Sequence, residues 1–537
     1  TTKLTGAGEL YLYSGASATF GMLDFGTIRI DSGTVRFTGS STLTKLVGGA
    51  GDIYINAPLN VINLEMGTAD FFINEGLNVT NIDFGTGGTI KFTANKSITM
   101  RSDSTLLNTK NVDTTSSQGT ITVDAGKSLT FADAEGNNSV FVSRGLNLEA
   151  KEGSIFNFNG TGVELNNVTL KRGTANFNNG ASVLSSLTAG DTGTAGTSQA
   201  FINVAQGANV TVGNILALVG SESVINGTLS ASSIQTNGSP TTWAAFSGTG
   251  RLIVTGTANF GGWFNGLNNV VIDASSALSD VTANFNGYTG NDKISVLTLQ
   301  SGSSAQAVAN LSQNLTLDSL IFDPVSGGIV NIGAGATLAI RQTSDISGAN
   351  ALKNIIKGDG TLQLLDNTSI NFGGGSEYLG GLKIGTGTAT ITENATLGTV
   401  TFSSAEGGAL VINSGKLLEI NSDVITAGTN SITGGGTLQL VGNANGHFGA
   451  SIEGLGKLEI GNGTATFSVN SSLGNVTFTA GSTGKIEIAQ ATTISLSNSL
   501  NLATSNAIMG AGTLHLAGAS NATLNTGSDT LGNLLIG

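Results

Sequence analysis

From about residue 358 onward the chain alternates apolar and polar positions in runs of three to five residues. The runs return every nine to eleven positions or so, as in Thr361-Leu364, Leu382-Ile384, Thr399-Phe402, Ala409-Ile412 and Leu417-Ile420. A period of two predicts strands with one face in a core and the other in solvent. Comparison along the chain tells the faces apart. Leu382 and Ile384 become Leu458 and Ile460, then Leu534 and Ile536, while the residue between them changes from Lys383 to Glu459 to Leu535. By the same logic Leu362, Leu364, Leu438, Leu440, Leu514 and Leu516 are expected inside, and Gln363, Gln439 and His515 outside.

These runs belong to a tandem repeat. Gly358-Asp359-Gly360-Thr361-Leu362-Gln363-Leu364 returns as Gly434-Gly435-Gly436-Thr437-Leu438-Gln439-Leu440 and as Gly510-Ala511-Gly512-Thr513-Leu514-His515-Leu516, and Leu397 to Phe402 (LGTVTF) returns as Leu473 to Phe478 (LGNVTF). The offset is 76 residues each time, from Gly360 to Gly436 to Gly512. Fixed-period self-similarity marks a repeat architecture. The reading is an all-β parallel solenoid with 76-residue units at 358–433, 434–509 and, in part, 510–537. Residues 1–357 form diverged rungs that keep the opening phrase, as in Gly6-Ala7-Gly8-Glu9-Leu10-Tyr11-Leu12 and Gly248-Thr249-Gly250-Arg251-Leu252-Ile253-Val254. Three or four rungs of roughly 19 to 25 residues would fill a unit, and at ~4.8 Å per rung the whole would be a rod about 100 to 135 Å long. Residues 180–200 and 301–315 are expected to leave the rungs as loops. The chain stops about a third of the way through its third unit, so more units, or docking on another subunit, are expected beyond Gly537.

Composition agrees with short strands and tight turns: 79 Gly against 3 Pro and 2 His in 537 residues. Only 11% of residues are charged and the net charge is −13. Without Lys/Arg clusters an acidic chain lacks the footprint of a nucleic-acid binder, and no apolar run approaches the ~18 residues of a membrane span. Zero cysteines excludes disulfides, Cys-zinc sites and thiol chemistry. The chain opens on Thr1 with no leader-like segment, so any export signal would lie outside this stretch.

The phrase Gly-x-Gly-Thr-Leu-x-Leu, followed by an Asn/Gly stretch, resembles the β-strand repeat of bacterial autotransporter (type V secretion) passenger domains. It is also similar to repeat-bearing rickettsial outer-membrane surface antigens. The resemblance implies a right-handed parallel β-helix displayed outside the outer membrane of a Gram-negative bacterium. The family's C-terminal membrane barrel is missing from this stretch. The expected function is that of an extracellular structural or adhesive surface protein, not an enzyme, without a cofactor. Its expected partners are other copies of itself or host and cell-surface molecules.

The alternative is a β-helix that binds or cleaves polysaccharide, with carboxylates on an outer face as general acid and base. The charge-dense stretch 101–152 supplies Asp133, Glu135, Glu149 and Glu152 as candidates. A solvated patch on outward positions and turns is the favoured reading of these residues, since nothing fixes a carboxylate pair at catalytic spacing. Trp243 and Trp263, about one rung apart, are candidate glycan contacts if exposed and core filler if stacked inside. Gly48-Gly49-Ala50-Gly51-Asp52 and Gly290-Asn291-Asp292 are similar to calcium-binding turns, but each is isolated where that mode needs tandem copies. His515 is read as outward and His447 as part of an Asn445-Gly446-His447 turn, with no triad or metal role.

Overall fold

The computed structural model describes residues 3–83, 90–92, 97–100, 104–107, 112–113, 119–132, 141–143, 145–160, 162–190, 199–218, 220–236, 244–287, 293–342, 344–345, 354–372, 378–403, 407–503, 505–518, 520–524 and 530–537. The fold is all-β, with no helix among the described residues, and its parallel strands stack as a β-solenoid of about 21 turns. The chain forms two compact units, Thr1–Asn268 and Asn269–Gly537.

In the first unit the strands Ser41–Gly48, Leu59–Glu65 and Leu77–Asp83 lie in register, with Leu43 on Val61 and Val61 on Val79. A second ladder holds Ala16–Phe20, Gly33–Phe37, Asp52–Ile55 and Asp70–Ile73. A third holds Ser128–Ala132, Ile155–Phe158, Thr174–Phe177 and Ala200–Val204. An unshifted register sets like on like, because a one-residue slip would turn every side chain to the other face. Inside, the rings of Phe131, Phe158 and Phe177 stack at centroid distances of 5.1 and 4.6 Å. Outside, Asn203 donates to Asn176 and Asn176 to Asn157, both at 2.8 Å. Another outward column sets Arg36 at 3.9 Å from the Tyr54 ring, Tyr54 against Phe72 at 4.3 Å, and Lys91 at 4.8 Å from Phe72.

The 76-residue repeat lies in the second unit, where the strands form three ladders. Ladder I runs Leu362, Leu382, Val400 and Val424, then Gly446 and Ala465. Ladder II runs Leu379, Leu397, Ile420, Leu440 and Ile460. Ladder III runs Ile370, Ala389, Leu410, Ile432 and Ile452. Ladder III continues from Glu453 to Ser472, and on the neighbouring inward positions through Ile494, Leu514 and Leu534. The chain visits the ladders in the order I, III, II. Between Leu362 and Leu438 it crosses ladder I four times, ladder II three times and ladder III four times, which is eleven crossings, or three and two-thirds turns. A repeat one crossing short of four turns cannot return to its starting ladder. The opening phrase therefore stands on ladder I at Leu362, on ladder II at Leu438 and on ladder III at Leu514.

The glycine that opens the phrase is required by the bend it makes. Gly358, Gly434 and Gly510 have φ of 111°, 104° and 106°. A Cβ at these positions would run into the carbonyl oxygen of Ile332, Ile412 and Ile488 respectively, on the rung below.

The expected inward leucines of the phrase are all buried, and Gln363, Gln439 and His515 are half-exposed. One expectation, the two loop spans, fails in part, since 301–306 carries no strand and 191–198 lies outside the described residues, and a second fails outright. The span 180–200 contains the strand Ala181–Ala189, and 301–315 contains Ala307–Leu311. Their alternation is hidden because small residues, Ser182, Ala307 and Ala309 among them, fill the inward positions. Asn445-Gly446-His447 is not a turn but the start of the strand Asn445–Gly449. Gly446 is needed there because the Phe448 ring occupies the space a Cβ would take.

Candidate functional site

Of the residues singled out in the sequence, Asp133, Glu135 and Trp243 lie outside the described residues, as does the Trp263 side chain. The Trp263 backbone pairs with Ala245, and beside it Phe264 and Phe246 stack at 5.9 Å within the core. Glu149 lies on the strand Leu146–Ala150 and Glu152 in the turn that follows. Each faces a cation of the next rung: Lys171 Nζ is 2.9 Å from Glu149 Oε1, and Arg172 Nη1 is 3.4 Å from Glu152 Oε2. Lys151 Nζ meets Asp124 Oδ1 at 2.6 Å. These partly exposed pairs tie successive turns together, and each contributes at most about 1 kcal/mol. The two glutamates are thus not aimed at a common point, as an acid and base flanking one bond would be. Among the described residues no three His, Asp or Glu side chains converge as metal ligands.

A different site emerges on the second repeat. An open groove of about 510 Å³ is lined by Ile452, Glu453, Asn470, Ser471, Ser472, Thr493 and Ser495. Its outer column is set by register: Glu453 on Ser472, Ser472 on Ser495, Ser495 on His515. Ser495 Oγ is 3.2 Å from His515 Nδ1, and the tautomer decides which atom donates. Ser471 Oγ accepts from the Ile452 N–H at 3.2 Å and donates to the Val469 carbonyl at 3.3 Å. Asn470 Oδ1 accepts from the Thr493 N–H at 2.8 Å. Ser471 is thereby fixed at the buried floor, while Glu453, Asn470 and Ser472 stay exposed.

A hydroxyl beside an imidazole meets the first condition for a nucleophile. Acyl transfer also needs N–H groups aimed at the developing oxyanion. Along Thr493–Leu496 and Ala507–Leu516 the backbone is paired in a parallel ladder, which directs its donors to the neighbouring strands. The arrangement suits hydrogen bonding to a ligand better than bond cleavage. Sequence reading placed His515 outward but missed its contact. The available signal was the step of 20 residues from Ser495 to His515, the same as from Leu362 to Leu382. Compared with protein-family models, curated proteins and solved structures, the chain matches none.

Proposed function

We propose that this chain is a structural or adhesive β-solenoid of a bacterial cell surface, displayed outside the cell in the manner of an autotransporter passenger. It works through contacts with other copies of itself or with surface molecules and not through catalysis. One observation carries the reading: the repeat is a third of a turn short of closing, so successive units present the same outward positions on successive sides. A distributed contact surface gains from such an arrangement, whereas an active site needs one place where groups converge. The inter-rung Asn and ion-pair contacts support it too, since much of the polar surface serves the stack.

The test is to measure self-association by sedimentation velocity and attachment of chain-coated beads to cells, with an assay of polysaccharide incubations for released oligosaccharides. Concentration-dependent assembly or bead attachment, without release, is expected. Release that disappears in Glu149→Gln or Glu152→Gln would overturn the reading.

A further inference from the structure

The repeat provides an internal control for the groove. Thr396, Leu417 and Glu419 stand in the first unit where Ser472, Thr493 and Ser495 stand in the second. In the first unit the Glu419 carboxylate accepts a hydrogen bond from Thr396 Oγ1 at 2.9 Å, and Gln439 Nε2, at the position of His515, donates to Glu459 Oε1 at 3.0 Å. With Ala395, which becomes Ser471, four side chains shorten or turn polar on passing to the second unit, in strands that otherwise keep their pairing. At the position of Glu419 a hydroxyl replaces the carboxylate, while Glu453 stays on the groove wall.

We propose that this groove is a binding site for a neutral oligosaccharide. Its edge offers hydroxyls from Ser472, Thr493 and Ser495, the Asn470 amide and the Glu453 carboxylate, a mixture that can both donate to and accept from sugar hydroxyls. The outward column repeats at the rung spacing of ~4.8 Å, close to the length of one pyranose residue, so successive rungs can meet successive sugars of an extended chain. Glu453 on the wall and a net charge of −13 disfavour acidic glycans. The open, polar, shallow form predicts weak binding of each site, with a Kd of about 0.1 to 1 mM.

This inference goes beyond the surface-scaffold reading and does not depend on it: a scaffold can lack the site, and the site can sit on any solenoid. The experiment titrates the full chain with cellotetraose, chitotetraose and sialyllactose, followed by saturation-transfer NMR and calorimetry. It is repeated on Ser472→Thr/Thr493→Leu/Ser495→Glu. That variant carries residues already accommodated at the equivalent strand positions, so it is expected to fold, with the circular dichroism and melting temperature of the parent. A second variant, Glu453→Gln, keeps the groove open. Binding of at least one neutral tetrasaccharide, weakened about tenfold or more in the triple variant, is expected. No binding of either neutral sugar at 10 mM, on the order of ten times the weakest expected Kd, would overturn the proposal. So would equal binding by the folded triple variant, or tighter binding of sialyllactose than of the neutral sugars. If the triple variant does not fold, Glu453→Gln decides: a changed affinity for the neutral sugar supports the site, and an unchanged one counts against it.

Discussion

Leu362 and Leu438 hold the same place in the 76-residue unit, yet Leu362 stacks between Leu338 and Leu382 on ladder I while Leu438 stacks between Leu418 and Leu458 on ladder II. Each ladder therefore accepts the same sequence at a different height. The ladders must be nearly interchangeable, because an inward leucine that fits one has to fit the next at native packing density.

That interchangeability makes unit deletion tolerable. Removing residues 434–509 joins Thr433 to Gly510, so the third opening phrase takes the place of the second and ladder III is still followed by ladder II. We expect the strand signature in circular dichroism to persist, with a melting temperature within about 5 °C of the parent. Removing residues 434–451 joins Thr433 to Ile452, sets two ladder III strands in succession and should abolish cooperative melting of this region. Similar melting of both deletions would count against the ladder order.

The opening glycines give a graded comparison. Gly442 also has positive φ, 58°, but nothing lies within 4 Å of where its Cβ would be. Gly442→Ala should cost ~1 to 2 kcal/mol from the left-handed backbone alone. Gly434→Ala adds the collision with the Ile412 carbonyl and should lower the denaturant midpoint clearly further. Equal midpoints would refute the role given to that bend.

Phe158 is stacked on both sides, between Phe131 and Phe177, and fully buried. Phe158→Ala should destabilise the first unit by about 3 to 5 kcal/mol, and Phe158→Leu by less. Proteolysis monitored by mass spectrometry would locate the opening near this ladder. Cleavage spread evenly over the chain would argue against a local core.

Much of this was legible before any coordinates. The alternation Leu362, Gln363, Leu364 gave the faces, and the 76-residue offset gave the unit. The ladder order was not, because it depends on whether Asp423–Ala427 makes a crossing of its own, and a short run with an exposed Ile425 does not announce itself as one. Strands such as Ala307–Leu311 were hidden by small inward residues. The groove was out of reach because Glu453, Ser472, Ser495 and His515 meet only through rung register.

Asp323 gives a pH dependence. Burial alone would raise its pKa, but hydrogen bonds to Oδ1 from the Ser326 N–H at 2.9 Å, the Ser326 hydroxyl at 2.8 Å and the Val325 N–H at 2.9 Å outweigh it and hold the carboxyl below its ordinary value. A group depressed in the folded state contributes stability that is full above the unfolded pKa of about 3.9 and is lost as the pH falls through the folded value. Asp323→Ala should therefore lower the denaturant midpoint at pH 7, with the difference shrinking below about pH 4. A difference that stays constant with pH would contradict this cause.

The most direct test of the eleven-crossing repeat uses the absence of native cysteine. Thr401 pairs with Ile425 on ladder I and Thr396 pairs with Glu419 on ladder II, so the one strand Ala395–Phe402 supports two different strands of the next rung. In-register neighbours about 4.8 Å apart are within disulfide reach. Thr401→Cys/Ile425→Cys and Thr396→Cys/Glu419→Cys, made as separate double variants and oxidised mildly, are both predicted to close an intramolecular disulfide visible by mass spectrometry. Closure of the Thr396/Glu419 pair without the Thr401/Ile425 pair would mean that Asp423–Ala427 enters no ladder, and would contradict the account.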